Sequence, residues 1–239
     1  MKKTWKDIFD RFNNDKLKKN YSLSELLFLA GHLKSKTGFF DLKKWKVETK
    51  KIKDRIGITK GNLLEIGCGT GALLKTFENN FKIFGIDYSN RMLNVAKISI
   101  PKGKFESLQA NEIKYKHSFL NVIIIYSALQ YFPTLKYFKE VLFKIKRQLK
   151  KNGILYIGEI IERNNQLNFN KFRKKQLTGK EYKKKYLGKE NTNLKHFSID
   201  RIELLNLLKD SFKDIEIFNS IKRGKEREIY RFDVCCKKK

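Results

Sequence analysis

The first part of the chain has apolar residues at the spacing of amphipathic helices. The first apolar stripe, at positions i, i+3, i+4 and i+7, consists of Trp5, Ile8, Phe9 and Phe12. A second helix is predicted from Ser22 or Ser24 to about Leu33, because serine is favoured at a helix start. A third is predicted over Lys44–Ile56, before Gly61. These segments predict helices ahead of the main fold.

From residue 62 onward, short apolar runs alternate with amphipathic segments. The runs that predict strands are Asn62–Ile66, Phe81–Ile86, Phe105–Leu108, Asn121–Tyr126 and Ile154–Ile160. The segments that predict helices between them are Ala72–Phe77, Asn90–Ile98 and Leu135–Leu149. The fourth run is apolar almost throughout, as expected of a central parallel strand that is buried on both faces. This alternation predicts an α/β fold with a doubly wound parallel sheet.

The pattern changes again after the fifth strand. Residues 162–197 are polar and rich in lysine, and they have no sustained period. A helix over Ser198–Leu208 and two strand candidates, Ile215–Phe218 and Ile229–Cys235, follow. The connection between these candidates is short and polar, which allows an antiparallel pair. We therefore predict a seven-stranded, mostly parallel sheet whose last strand is antiparallel, with an insertion after the fifth strand.

Composition restricts the class of protein and the compartment. The 239 residues include 41% hydrophobic residues, enough to bury a full core. The longest apolar stretch is too short to span a bilayer, and the polar start lacks the apolar core of a signal peptide, so we expect a cytoplasmic protein. Three cysteines provide neither a disulfide framework nor the spacing of metal ligands, so we expect no metal site.

The net charge of +29 suggests an anionic partner such as nucleic acid. However, 44 of the 54 basic residues are lysine and only ten are arginine, whereas nucleic-acid-binding surfaces favour arginine. Alanine and proline are scarce, which is typical of proteins encoded by AT-rich genomes. We therefore interpret much of the charge as solvated surface and do not favour a nucleic-acid partner.

Two short motifs carry the candidate chemistry. Gly67, Gly69 and Gly71 lie where the first strand turns towards a helix, and Glu65 precedes them by two residues. Glycine there allows a sharp turn and the close approach of a ligand to the backbone. Asp87 ends the second strand, 22 residues after Glu65, at the offset where doubly wound folds place an acid on a ribose diol. Either motif alone is common in ordinary turns and helix caps, so the prediction depends on the two occurring together.

Together, Glu65-Ile66-Gly67-Cys68-Gly69-Thr70-Gly71 and Gly85-Ile86-Asp87-Tyr88-Ser89 resemble motifs I and II of the class I S-adenosylmethionine-dependent methyltransferases. The resemblance extends loosely over about residues 40–235 and implies a Rossmann-like fold with S-adenosylmethionine as cofactor. It also implies cofactor-binding roles for Glu65, Gly67, Cys68, Gly69, Gly71, Asp87, Tyr88, Met92, Gln109, Ala110 and Asn111.

Within this set, the glycines and Glu65 would hold the methionine end of the cofactor, and Asp87 would accept hydrogen bonds from the ribose hydroxyls. Tyr88 or Met92 would pack on adenine, and the segment Gln109–Asn111 would form hydrogen bonds with the edge of the adenine ring. The family commonly has aspartate where this chain has Gln109, although a side-chain amide oxygen can also accept from an adenine amino group. Cys68 is expected to be a packing residue of the loop.

The acceptor side is less defined by the sequence. Candidate catalytic residues are Tyr131 and Glu159, expected at the ends of the fourth and fifth strands, and His196, with Tyr230 as a further candidate on the acceptor side. A surface histidine at a helix start is the alternative reading of His196. Residues 1–43, which include the first aromatic stripe, would form a helical lid on a methyltransferase domain of residues 44–239.

If the insertion at 162–197 folds over the site as a second lid, its lysines would favour an anionic acceptor, and a solvated lysine-rich surface is the alternative interpretation. The family pattern therefore predicts methyl transfer to an O, N or C atom of a small or carrier-bound metabolite. Two alternatives remain open: an RNA or protein methyltransferase that uses the basic surface, and a non-catalytic scaffold that binds S-adenosylmethionine. The sequence does not determine the oligomeric state.

Overall fold

A computed structural model of the chain describes residues 4–11, 17–30, 42–165, 167, 171, 195–220 and 230–239. The helices with described bounds are α1 (Trp5–Arg11), α2 (Leu23–Leu29), α3 (Leu42–Ile56), α4 (Asn90–Ser99), α5 (Leu135–Gln148) and α6 (Arg201–Leu208). The strands are β1 (Gly61–Ile66), β2 (Phe81–Asp87), β3 (Lys104–Ser107), β4 (Leu120–Tyr126), β5 (Leu149–Ile161), β6 (Phe212–Asn219) and β7 (Arg231–Lys238).

The strands form a single seven-stranded sheet in the order β3-β2-β1-β4-β5-β7-β6. The first five strands pair in parallel, and β7 is antiparallel to both of its neighbours, β5 and β6. The predicted fold class, including the antiparallel last strand, is confirmed. Strand order reverses between β1 and β4, and ligands of doubly wound sheets bind outside the carboxyl ends of strands at such a point.

Helices cover both faces of the sheet, each over its own apolar core. Side chains of α2, α3 and α4 pack on one face, where Trp45, Ile52 and Leu93 are buried. Side chains of α5 and α6 pack on the other, where Phe138 and Leu204 are buried. Alternate residues of β1 and β4 point to opposite cores, which explains why the fourth run is apolar almost throughout.

The segment after the glycines differs from its prediction. Instead of a helix over Ala72–Phe77, the chain makes a single 3-10 turn at Leu74–Thr76. Its apolar residues Leu73, Leu74 and Phe77 are all buried in the core. Few residues remain between Gly71 and β2, and packing on the core takes precedence over helix propensity in so short a segment.

Other boundaries shift as well. Helix α5 ends at Gln148, and β5 begins at Leu149 instead of Ile154 because Leu149 already pairs with Leu120. The pairing shifts register before Val122 and Ile154. Predicted helix residues beyond Ala30, Phe12 and most of the insertion lie outside the described residues. Among the residues that are described, no helix is long and apolar enough to cross a membrane.

Candidate functional site

The glycine loop joins β1 to the turn that follows it, and its conformation requires glycine. Gly67, Gly69 and Gly71 have φ angles of +73°, +52° and +76°, a region that disfavours side chains. A Cβ on Gly67 would lie 2.5 Å from the Cβ of Ala128, whereas a Cβ on Gly69 would meet no heavy atom within 4 Å. The loop is therefore packed against the fold at Gly67 and open to a ligand at Gly69.

Cys68, between these glycines, is a buried thiol that packs against the sheet. Its backbone N–H, like that of Gly67, donates to the carbonyl oxygen of Ile86 at the end of β2. Burial raises the pKa of the Cys68 thiol well above its usual value, and the nearby Asp87 and Glu65 add to the rise. The thiol is therefore protonated at neutral pH, as expected of a packing residue.

Glu65 is the unusual group of the site, because its side chain is only 3% exposed. Its Oε2 atom has no hydrogen-bond partner within the described part of the chain. Burial raises the pKa of Glu65 well above its usual value, and the nearby Asp87 raises it further. A buried carboxylate without a counter-charge is costly, and a cationic ligand at this position would compensate it.

Asp87, at the end of β2, faces the same loop. Its Oδ2 atom accepts a hydrogen bond from the Gly69 N–H at 2.9 Å, and its Oδ1 atom accepts one from the Ser89 N–H at 2.9 Å. Burial raises the pKa of Asp87, and the two amide hydrogen bonds oppose that rise. Each carboxylate oxygen can accept a second hydrogen bond, so Asp87 can hold a diol while it fixes the loop.

Tyr88 and Met92 follow Asp87 at the start of α4. Tyr88 is partly buried, and burial raises its pKa above the usual value for tyrosine. Its ring meets that of Phe9 edge-on, with centroids 6.3 Å apart. Met92 is buried, and its N–H donates to the Ser89 hydroxyl that caps the helix. Both side chains lie beside Asp87 in the chain, and their packing on adenine stays a prediction.

The segment Gln109–Asn111 follows β3 and is tied to the same region, because the Leu108 N–H donates to the Asp87 carbonyl oxygen at 3.1 Å. Gln109 is exposed and Ala110 is buried. The Asn111 side-chain amide donates to Glu140 of α5 at 3.3 Å. The structure therefore brings this segment to the Asp87 end of the site, and its contact with adenine stays a prediction.

Aromatic rings from three separate segments meet at the carboxyl edge of β4. Trp5 of α1 contacts Tyr131 with ring centroids 5.0 Å apart and His196 with centroids 4.7 Å apart. Tyr131 and His196 are themselves 5.6 Å apart, and Phe9 lies 5.0 Å from Tyr131. Two of the predicted acceptor-side residues, Tyr131 and His196, are therefore brought together.

Glu159 lies at the end of β5 but is involved in a buried ion pair. Its carboxylate is 3.5 Å from the guanidinium of Arg231, and both side chains are almost inaccessible to solvent. Tyr230, next to Arg231, is also buried. The catalytic role expected of Glu159 stays a prediction, and its ion pair is a feature that the sequence pattern did not indicate.

Sequence reasoning also missed the side chains that join the N-terminal helices to the two motifs. The Ser89 hydroxyl donates to Asp10 Oδ1 of α1 at 2.5 Å. The Thr70 hydroxyl donates to the Leu26 carbonyl oxygen of α2 at 3.0 Å. The only local signal for either contact is the position of Ser89 and Thr70 within the two motifs.

Comparisons with known proteins agree with this geometry. A family model described as a methyltransferase domain matches residues 64–157, which include the glycine loop, Asp87 and the end of β4. No curated protein sequence matches the chain significantly.

Solved structures share the fold at low sequence identity. The N-methyltransferase NodS from Bradyrhizobium japonicum, in complex with S-adenosylhomocysteine, aligns with a TM-score of 0.63 at 12% identity over 89% of this chain and 97% of its own. The plantazolicin methyltransferase BpumL aligns with a TM-score of 0.61 at 17% identity over 85% and 86%. A methyltransferase from Methanosarcina mazei aligns with a TM-score of 0.56 at 20% identity over 78% and 96%.

The family match covers the glycine loop and Asp87, which lie at the carboxyl ends of β1 and β2. Residues 64–157 therefore match a methyltransferase domain, and the chain has the fold of the aligned S-adenosylmethionine-dependent methyltransferases.

Proposed function

We propose that the protein transfers the methyl group of S-adenosylmethionine to a small or carrier-bound metabolite. The observation that carries the proposal is the buried Glu65 carboxyl, which has an oxygen without a hydrogen-bond partner in the described structure and lies beside the glycine loop. The cofactor would supply a cationic amino group, a ribose diol and a methyl group on a sulfonium, which is a good leaving group. The amino group would pair with Glu65, and the ribose diol would bind to Asp87. The open backbone at Gly69 would leave room for the part of the cofactor between them.

The residues at the cofactor end act by holding and orienting. Gly67 and Gly71 keep the loop in its conformation, and Gly69 leaves room for close approach to the backbone. Glu65 would pair with the amino group, and Asp87 would accept from the ribose hydroxyls. Direct transfer requires the nucleophile, methyl carbon and sulfur to be aligned, so this positioning provides most of the catalysis.

The aromatic cluster of Trp5, Phe9, Tyr131 and His196 would form the acceptor side. Its rings lie at the carboxyl edge of β4, where ligands of such sheets bind. Tyr131 would orient the acceptor. If the nucleophile has to lose a proton, His196 is the candidate base, because its ring contacts Tyr131. Helix α1 would act as the lid predicted for residues 1–43, because it also contacts Tyr88 and Ser89 at the cofactor end.

One of the aligned structures, BpumL, contains a bound analogue of its acceptor, which supports an acceptor that binds within the site of such a fold. NodS is described as an N-methyltransferase, and BpumL was solved with an analogue of desmethyl-plantazolicin. The lysines of 162–197 favour an acceptor that carries negative charge, such as a phosphorylated or carrier-bound metabolite. An RNA or protein acceptor is the alternative that the basic surface suggests, and a steep salt dependence of RNA binding would support it.

Calorimetric titration with S-adenosylhomocysteine tests the cofactor site. Asp87→Ala should weaken binding by about 10- to 150-fold, since it removes charged hydrogen bonds worth about 1.5–3 kcal/mol. Asp54→Ala is the matched control, because Asp54 is an exposed carboxylate of α3. Wild-type protein that does not bind would contradict the proposal.

Incubation with labelled S-adenosylmethionine and a fractionated extract of the host would then identify the acceptor. Label transferred to a small molecule supports the proposal, and label in RNA or protein supports the alternative. Binding without any transfer would favour the scaffold function.

A further inference from the structure

The end of β5 has an unusual conformation that is built into the fold. Pairing with β7 shifts register between Ile157 and Ile160, so that Gly158 and Glu159 together face one residue, Asp233. Glu159 lies in the left-handed region with φ +63°. A non-glycine residue in this region is strained, and such strain persists only where surrounding contacts hold it.

Asp233 provides part of those contacts from the middle of β7. Its Oδ1 atom accepts hydrogen bonds from the Glu159 N–H and the Ser220 hydroxyl, both at 2.9 Å. Its Oδ2 atom accepts from Arg55 and from the Tyr156 hydroxyl, both at 2.8 Å. The bulge backbone is thus fixed by a buried carboxylate with four hydrogen bonds.

Arg231 holds the bulge from the other side and connects it to β4. One guanidinium nitrogen donates to the Glu159 carbonyl oxygen at 2.5 Å and lies 3.5 Å from the Glu159 carboxylate. The other terminal nitrogen donates to the Gln130 side-chain oxygen at 2.8 Å. Arg231 is 5% exposed and Gln130 is 6% exposed, so this contact is shielded from water. The two ends of the guanidinium fork therefore join the ends of two strands.

Gln130 connects Arg231 to the aromatic cluster of Trp5, Phe9, Tyr131 and His196. Its backbone carbonyl oxygen accepts a hydrogen bond from the Phe197 N–H at 2.9 Å, and its side-chain amide donates to the Ser127 carbonyl oxygen at 3.3 Å. Tyr131 directly follows Gln130, and His196 directly precedes Phe197. One hydrogen bond between two backbones therefore sets the spacing of the two rings that face Trp5.

We propose that Arg231 is a positioning residue of the acceptor side, which acts through Gln130 to hold Tyr131 and His196 in place. The proposal rests on the proposed function, because it assigns these rings to the acceptor. Glu159 provides the counter-charge and the strained carbonyl that orient Arg231. The Glu159–Arg231 pair thereby connects the backbone conformation at the end of β5 to the positions of the Tyr131 and His196 side chains.

Fluorine NMR of protein labelled with 5-fluorotryptophan tests this role without a known acceptor. The chain has two tryptophans, so two resonances are expected. Trp5 contacts Tyr131 and His196, whereas Trp45 is buried against Tyr126 on the opposite face of β4 from α5. Trp5→Phe assigns the resonances. Trp5 then reports on the cluster, and Trp45 serves as an internal control.

Arg231→Met and Gln130→Met should shift or broaden the Trp5 resonance and leave that of Trp45 in place. Gln130→Glu loses the donor to Ser127, as Gln130→Met does, but keeps an oxygen that can accept from Arg231, so it should retain the wild-type Trp5 resonance. Gln130→Met alone suffices for the test if Arg231→Met does not fold, because it removes the acceptor for Arg231 and the donor to Ser127 but no charge.

An unchanged Trp5 resonance in the folded methionine variants would overturn the proposal. Equal movement of both tryptophan resonances, or equal effects of Gln130→Glu and Gln130→Met, would also overturn it by indicating a general structural role. Titration with S-adenosylhomocysteine in the same samples should give the wild-type dissociation constant. If wild-type protein does not bind it, the proposed function fails, while the NMR comparison still decides whether Arg231 positions the cluster.

Discussion

Replacing Glu65 with glutamine should make the protein more stable and the cofactor site weaker. The carboxyl is buried, and one of its oxygens has no hydrogen-bond partner in the described residues. An unsatisfied buried polar group costs about 1–3 kcal/mol, and more when it is charged. Removing the charge should therefore recover about 1–2 kcal/mol, or about 2–8 °C in melting temperature for a chain of this size.

The gain in stability of Glu65→Gln over wild type should increase with pH. Burial raises the pKa of Glu65, so the folded protein keeps this proton to a higher pH than the unfolded chain does. Unfolding then releases a proton, and stability falls as pH rises from the unfolded pKa to the raised folded one. The difference in melting temperature between Glu65→Gln and wild type should be full above the raised pKa and shrink as pH falls towards about 4.3.

Cofactor binding should change in the opposite direction. Loss of a charged partner worth about 1.5–3 kcal/mol weakens S-adenosylmethionine binding by about 10- to 150-fold. Wild-type affinity should also rise with pH as Glu65 ionises, and this dependence should be smaller in Glu65→Gln.

Thermal unfolding between pH 5 and 8 and calorimetric titration measure both effects. Glu216→Gln, which removes an exposed carboxylate on β6, is the matched control and should change neither quantity. A Glu65→Gln variant that is less stable than wild type, or that binds the cofactor equally well, would refute this account of the site.

Three further predictions concern the glycine loop, the hydrogen bonds of Asp233 and the thiols. Gly67→Ala places a Cβ 2.5 Å from that of Ala128 and should reduce both thermal stability and cofactor affinity, whereas Gly57→Ala, at φ +66° with no atom within 4 Å, should cost only about 1 kcal/mol of backbone strain. Asp233→Asn removes a buried charge that is paired with Arg55 and should cost about 3–5 kcal/mol in denaturant unfolding, and a loss below 1 kcal/mol would argue against the network. The three buried cysteines, whose pKa values are raised by burial, should react slowly with a thiol reagent at neutral pH and fully after unfolding; rapid labelling of native protein would contradict their burial.

The elements that the sequence predicted well are those that depend on local pattern. The period of apolar residues predicted the strands from β1 to β5 and the helices α4 and α5, and the short polar connection near the end allowed the antiparallel pair. The helix predicted at Ala72–Phe77 is wrong because a six-residue segment has too little local preference to resist packing of Leu73, Leu74 and Phe77 in the core.

The cofactor motif could be predicted because its requirements are also local. Only glycine tolerates the positive φ angles at 67, 69 and 71, and the distance from Glu65 to Asp87 follows from one strand–turn–strand unit. The acceptor side could not be predicted in this way. Tyr131 and His196 come from segments 65 residues apart, and no sequence period relates them.

By itself, the sequence determined the order of elements, the glycine loop and the acids that mark a nucleoside site. The tertiary structure alone decided that one oxygen of Glu65 has no hydrogen-bond partner among the described residues, and that Arg231 joins Gln130 across 101 residues of chain. The physical reason is that backbone conformation and burial periodicity are encoded by neighbouring residues. Contacts between distant side chains exist only after the sheet has brought the ends of β4, β5 and β7 together.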